Sequence, residues 1–287
     1  ALLSTRAGSL RRPESLDLRI GRRTDVGQLR ELNEDSLLTL DLVRSNKSIS
    51  RPIGLFVVAD GMGGHAAGEV ASGLTVQALG ELAQRTDLAV ADIVAQVHEA
   101  NDRILRSAAL DPQQHGMATT VTGVALVVVG GTQHWAVFNL GDSRVYRFID
   151  GSLAQVTVDH SEVQELVDAG YLTAEQAKVH PLRHTVTRSL GRDLLPAVDT
   201  WVFPPCPGER FVVCSDGLTN EVEDPEIAAI LAIGADPQLT AQTLVNRAVD
   251  RGGRDNVTVV VVELADYPAA DVDEDTVPRE SQPGDRA

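Results

Sequence analysis

Short apolar runs bounded by turns alternate along this chain with longer stretches whose apolar residues recur every three or four positions. Leu16 to Gly21 alternates as a first strand does. Residues 24–36 are polar and turn-rich, Leu37 to Val43 resumes strand character, and Ser45 to Arg51 reads as a loop. Gly54 to Ala59 is an unbroken apolar run, long enough for one buried strand, and it stops at Asp60 before Gly61, Gly63 and Gly64. From Glu69 to Gln84, Val70, Leu74, Val76, Ala78, Leu79 and Leu82 fit one helical face. A second helix is predicted from Val90 to Ala109, ended by Asp111-Pro112. The β-branched run from Gly116 to Val129 predicts one long strand. Gly130-Gly131 turns it back as His134 to Leu140. Val145 to Phe148 and Leu153 to Val158 flank Asp150-Gly151, a strong hairpin signal.

Residues 161–190 change character. Two short amphipathic helices, at Ser161 to Ala169 and from Leu172 to Gln176, precede His180-Pro181-Leu182-Arg183-His184 and Arg188. The segment is expected to be an inserted, mobile flap. Arg210 to Cys214 is a further strand, Pro225 to Ala232 and Thr240 to Val249 are helices, and Val257 to Leu264 is the last strand. Strands and helices are segregated rather than strictly alternating, which points to an α+β fold with antiparallel sheets covered by helices. Residues 1–18 lack periodicity and read as a linker, and the acidic, Pro-containing stretch 266–287 reads as disordered.

A length of 287 residues suffices for a sizeable core. The net charge of −16 argues against a nucleic-acid partner and suits either a solvated acidic surface or a protein that collects divalent cations. Cys206 and Cys214 match no zinc spacing and are too few for a disulfide framework. Both flank an apolar strand, so buried free thiols in a reducing, cytoplasmic setting are expected. No run approaches the length of a membrane span, and no signal-peptide pattern is present, so no membrane contact is expected within this chain. Ala1 stands where an initiator Met would, which raises the expectation of a piece of a longer polypeptide.

Four aspartates share one setting. Asp60, Asp142, Asp216 and Asp255 each sit at an end of an apolar strand, beside glycine or in a Gly-rich turn. Any one alone reads equally as a turn residue, and Asp60 as a helix N-cap. If the strand ends converge, their carboxylates repel one another unless cations neutralise them, with Glu34-Asp35 as a fifth point. An all-oxygen set without clustered Cys or His selects magnesium or manganese rather than zinc. Thr119 and Thr120 read as strand packing residues. Gly61 to Gly64 lacks the ending of a nucleotide P-loop, and no Cys-x5-Arg loop follows Cys214, which reads as core.

These motifs occur in a familiar order. Thr24-Asp25-Val26-Gly27-x-x-Arg30-x-x-Asn33-Glu34-Asp35-Ser36, Val58 to His65, Gly116-Met117-Ala118-Thr119-Thr120, Gly141-Asp142-Ser143-Arg144, Ser215-Asp216-Gly217-Leu218 and Asp255-Asn256-Val257-Thr258 resemble those of the PP2C (PPM) metal-dependent Ser/Thr protein phosphatases, bacterial branch, over residues 20–264. The resemblance implies a four-layer α-β-β-α sandwich over residues 19–265, two antiparallel sheets flanked by helix pairs, with the flap at 161–190. It implies two Mn²⁺ or Mg²⁺ ions in the core site and a third beside them. Asp60 would bridge the first two ions. Asp216 and Asp255 would complete the first ion's ligands, and the Gly61 carbonyl would bind the second. Asp142 with Asp216 would hold the third ion, and Glu34 and Asp35 would act through metal-bound waters. Arg30 would grip the substrate phosphate with its fork, and a bridging water would attack phosphorus in line. The implied function is hydrolysis of phosphoserine and phosphothreonine on proteins by a monomer, opposing a bacterial Ser/Thr kinase.

One position departs from the pattern. Eukaryotic-type members carry Asp-Gly-His, whose histidine is a candidate general acid; here the place is taken by Met62, which has no proton to donate. His65 or a water on the metal could replace it. Two rivals stay open: a phosphoprotein-binding relative without catalysis, and a metallohydrolase acting on nucleotides or small phosphate esters.

Overall fold

A computed structural model of the chain describes residues 16–46, 49–63, 67–192 and 197–265, with side chains described outside 43–51. Most of the expected linker, the acidic tail and His65 lie outside the described residues. The elements run β1 (Leu18–Asp25), β2 (Asp35–Asn46), β3 (Ile49–Met62), α1 (Ala67–Gly80), α2 (Val90–Leu110), β4 (Ala118–Thr119), β5 (Val121–Val129), β6 (Thr132–Leu140), β7 (Arg144–Ile149) and β8 (Ser152–Gln155). There follow α3 (Glu162–Asp168), α4 (Ala174–Lys178), β9 (Asp199–Phe203), β10 (Arg210–Cys214), α5 (Asp216–Thr219), α6 (Asp224–Ala232), α7 (Pro237–Asp250) and β11 (Val257–Leu264).

Two antiparallel sheets result, ordered β1-β11-β10-β7-β8 and β2-β3-β5-β6-β9, with β4 paired to the end of β3. Their inner faces meet through Phe56, Val58, Val124 and Trp135 on one side and Val145, Phe211, Val213 and Val260 on the other. Trp135 meets Phe211 edge-on at 5.1 Å between ring centroids. The opposite residues of the same strands face helices. Leu55 and Val57 pack on α1 and α2, and Val259 and Val261 on α6 and α7. Both faces of β3 and β11 are therefore buried, which is why these strands read as continuous apolar runs without polar alternation. The four-layer sandwich implied by the resemblance is the observed architecture.

The structure revises several sequence expectations. The first helix ends at Gly80 and tightens into a 3₁₀ turn over Glu81–Gln84. The supposed loop at Ser45 to Arg51 belongs to a long hairpin, since β2 runs to Asn46 and β3 starts at Ile49. The single strand predicted from Gly116 to Val129 is broken at Thr120. β4 pairs with Gly61 and Met62, while β5 pairs with Leu55 to Val58. Cys214 is buried as expected, but Cys206 is only half-buried. Strand β9 escapes the hydrophobic pattern because it lies at a sheet edge, with Trp201 and Phe203 only partly buried against the inner core. Among the described residues no helix is long and apolar enough to cross a membrane.

Candidate active site

Antiparallel pairing brings alternate strand ends to the same end of the sandwich. Asp60 near the end of β3 stands opposite Asp35 at the start of β2. Asp142 lies in the turn from β6 to β7, Asp216 just past β10, and Asp255 just before β11. Asp60, Asp142, Asp216, Asp255, Glu34 and Arg30 all line one cleft of about 1320 Å³. Among the described residues the predicted site residues thus gather in one place, with Asp35 paired to Asp60 but not itself in the cleft lining; His65 lies outside the described residues.

Burial and mutual proximity set the electrostatics. Burial, then the charges of Asp35, Asp216, Asp142 and Asp255, holds the Asp60 carboxyl well above the usual carboxylate range. Burial pushes Asp35 up to about 7, against hydrogen bonds from Thr258 and Ser215. Burial and then Asp216 push Asp142 up to about 8. Asp216 is raised in the same way, by burial and then Asp255. Burial also raises Glu34, with Arg30 opposing it.

Hydrogen bonds fix the Asp35 carboxylate and the Asp60 backbone. Ser215 donates its hydroxyl to Asp35 Oδ2 at 2.8 Å, and its oxygen accepts the Thr258 N–H at 3.0 Å. The Asp60 N–H donates to Thr120 Oγ1 at 3.0 Å, and the Thr119 hydroxyl donates to the Asp60 carbonyl at 2.9 Å. Thr120 in turn shares a hydrogen bond of 2.8 Å with Ser143, the neighbour of Asp142. The two threonines expected to be packing residues are therefore the clamps on the Asp60 backbone. Their hydroxyls make contacts that β-propensity does not reveal. Gly61 has no alternative, because a Cβ there would stand 2.2 Å from the Gly68 carbonyl oxygen.

The donor set fits a hard divalent cation. It is all oxygen, it is anionic when ionised, and Asp35 Oδ1 is buried with no hydrogen-bond partner. The set is gathered without being closed on one point: among the described residues no three acidic, His or Cys side chains form a ready-made cation cluster. Asp255 turns Oδ2 to Arg30 at 2.8 Å and Asp216 turns Oδ2 to Asn220 at 3.0 Å. The flap reaches the same place, with His184 Nδ1 at 4.0 Å from Asp216 Oδ2. Met62 lines the cleft where a proton donor was sought.

Comparison with known proteins agrees with this geometry. Residues 32–249 match the family model described as protein phosphatase 2C. The serine/threonine protein phosphatase PstP of Mycobacterium tuberculosis is 38% identical over 259 residues, covering 88% of this chain and 46% of that protein. The chain thus spans about half the length of that relative. A putative protein phosphatase 2C-type protein of Streptococcus pyogenes is 36% identical over 85% of this chain and 97% of its own length. Among solved structures, the serine/threonine phosphatase of S. agalactiae superposes with a TM-score of 0.77 at 34% identity, covering 86% of this chain and 100% of that one. The catalytic domain of PstP in complex with two manganese ions superposes at 0.73 with 36% identity, covering 88% of this chain and 100% of that one.

Proposed function

Because the chain belongs to the protein phosphatase 2C family, we propose that it hydrolyses phosphoserine and phosphothreonine on proteins with manganese or magnesium as cofactor. The observation that carries this reading is the convergence of Asp60, Asp142, Asp216 and Asp255 with Arg30 in one cleft. The nucleotide or small-ester alternative has no comparable support among the relatives, which are named as protein phosphatases.

Asp60, Asp216, Asp255 and the Gly61 carbonyl would hold the two core ions, and Asp142 with Asp216 would hold a third. Bound there, the ions supply an activated water and neutralise phosphate charge. The chain does the rest. Arg30, whose side chain is half exposed at the cleft, binds the phosphate through its planar fork. Glu34 and Asp35 orient waters, and the orphaned Asp35 Oδ1 is available for that. Thr119 and Thr120 hold the Asp60 backbone and Ser215 holds the Asp35 carboxylate, so little reorganisation accompanies the reaction. Met62 cannot protonate the departing serine oxygen, and His65 is the side-chain candidate for that step.

The domain extends over residues 19–265, acts as a monomer and opposes a bacterial Ser/Thr kinase or acts on that kinase's targets. Two free cysteines and no disulfide among the described residues support a cytoplasmic setting. The test is phosphate release from a phosphothreonine peptide with Mn²⁺, with EDTA, and with Asp216→Asn. Release that needs metal and is lost in the variant is expected. Undiminished release in EDTA, or none under any metal from folded protein, overturns the reading.

A further inference from the structure

Asn256 follows a proposed metal ligand, yet its side chain turns away from the carboxylates and is 4% exposed. All three of its side-chain hydrogen bonds go to the backbone of one loop, the segment between β1 and β2 that carries Arg30. Oδ1 accepts the Glu34 N–H at 2.8 Å, and Nδ2 donates to the carbonyls of Val26 and Leu32, each at 2.9 Å. The backbone N–H of the same residue donates to Asp255 Oδ1 at 2.8 Å. One residue therefore orients Asp255 with its main chain and the arginine loop with its side chain.

Other hydrogen bonds hold the two ends of that loop: Gln28 Nε2 donates to the Val249 carbonyl at 2.7 Å, and the Ser72 hydroxyl and the Gly61 N–H donate to the Glu34 carbonyl at 2.6 and 3.2 Å. Leu29 and Leu32 are 70% and 50% exposed, so apolar packing contributes little. The Gln28 N–H is also tied to the Gly253 carbonyl at 2.7 Å, before Arg30, and among the described residues the Arg30 side chain bonds to Asp255 alone. Segments held by few buried apolar contacts depend on their hydrogen bonds for position. The pattern needed at residue 256 is one acceptor and two donors on a planar fork, which asparagine supplies and aspartate does not. An aspartate would set a carboxylate oxygen against two carbonyl oxygens.

We infer that Asn256 is a positioning residue for substrate recognition: it holds the 26–34 loop so that Arg30 meets the phosphate, in register with Asp255. The inference rests on the reading of Arg30 as the phosphate contact. It predicts a loss confined to phosphate and phosphopeptide binding, with cation binding preserved, because the Asp255 carboxylate keeps its backbone hydrogen bond in any variant.

The test uses the full chain as wild type, Asn256→Asp, Asn256→Ser, Arg30→Ala and the Arg30→Ala/Asn256→Asp double variant. Binding of Mn²⁺ and, on the Mn²⁺-loaded protein, of inorganic phosphate is measured by calorimetry; kcat and KM are measured on a phosphothreonine peptide. Asn256→Asp should weaken phosphate binding and raise KM by about tenfold, with Mn²⁺ affinity within about twofold of wild type and kcat less affected than KM. In the Arg30→Ala background the same substitution should change phosphate affinity little, since residues that act as a unit are not additive. Should Asn256→Asp not fold, Asn256→Ser, which leaves room for a water between the loop carbonyls, carries the comparison. Phosphate affinity unchanged in a folded variant, Mn²⁺ affinity falling in step with phosphate affinity, or full additivity with Arg30→Ala overturns the inference. Wild-type protein that binds phosphate without turnover sinks the phosphatase reading while the positioning role is still judged by phosphate affinity. Wild-type protein that binds no phosphate overturns both.

Discussion

Arg30 and Asp255, 225 positions apart in sequence, meet through a single hydrogen-bonded ion pair of 2.8 Å at the mouth of the cleft. The two side chains are 48% and 34% exposed, so water screens their attraction and the pair contributes at most about 1 kcal/mol. A charge-assisted contact to a phosphate is stronger, about 1.5–3 kcal/mol. Arg30→Ala should therefore lower kcat/KM for a phosphopeptide by roughly 10- to 100-fold. Mn²⁺ should bind the variant slightly tighter, by no more than about fivefold, because Asp255 no longer shares an oxygen with a guanidinium. Steady-state kinetics and metal titration check the two halves. Arg30→Lys should recover only part of the loss, since an ammonium lacks the fork. Weaker Mn²⁺ binding in Arg30→Ala would mean that the arginine supports the cation site rather than competing with it.

Thr120→Val keeps volume and removes one hydroxyl. The Asp60 N–H then loses its acceptor and Ser143 loses its partner, inside a fully buried environment. A buried donor left unpaired costs about 1–3 kcal/mol, or roughly 2–12 °C in Tm for a domain of this size. Activity should fall more at limiting Mn²⁺ than at saturation, because the backbone released is that of Asp60, the proposed bridging ligand. Thermal melts and a Mn²⁺ activation curve measure both effects. An unchanged activation curve would reduce Thr120 to packing.

This threonine also marks where sequence reading ran out. The architecture was legible because core periodicity, hairpin turns and helix stops are local, and the converging aspartates were legible because each sits at one end of an apolar strand, beside glycine or in a Gly-rich turn. Hydroxyl clamps such as Thr119, Thr120 and Ser215 were not, because their partners become neighbours only once strands pair across the sheet. The break at Thr120 was hidden for a similar reason: the sequence stays β-branched while the backbone changes partners. Strand β9 was invisible because it lies at an edge, and edge strands carry a weaker apolar pattern.

Glu209 is a second group that no motif announced. Its side chain is fully buried, accepting from Trp135 Nε1 at 2.6 Å, from the Cys206 N–H at 2.7 Å and from Arg147 Nε at 2.7 Å. It joins the two sheets, through Trp135 and Arg147, and is not part of the cleft lining. Glu209→Ala strands a buried indole N–H and an arginine, a loss of about 3–5 kcal/mol for a broken buried pair. A drop in Tm of roughly 6–20 °C is expected, with kcat/KM at saturating Mn²⁺ near the wild-type value at temperatures where the variant is folded. A large kinetic loss in folded protein would show that the sheet interface is coupled to the site.

The carboxylate cluster gives stability a pH dependence whose sign follows from its raised pKa values. Asp35 is pushed up to about 7 and Asp142 up to about 8, mainly by burial, whereas an unfolded chain releases such protons at about 4. Between those values the folded protein holds protons that the unfolded chain has given up. Stability from these groups is therefore complete below the unfolded pKa and is lost as pH rises through about 7 to 8. In EDTA, Tm should be several degrees higher at about pH 5.5 than at about pH 8.5. Cations bind the ionised carboxylates, so Mn²⁺ binding should release protons and tighten across the same window, flattening or reversing the slope. Asp142→Asn removes one buried acid and should raise the metal-free Tm at about pH 8.5 more than at about pH 5.5. Melts at both pH values, with EDTA and with Mn²⁺, and calorimetry in buffers of different ionisation enthalpy measure these effects. A metal-free Tm that climbs from the lower to the higher pH would mean that the aspartates are already ionised in the folded protein, held by partners other than cations.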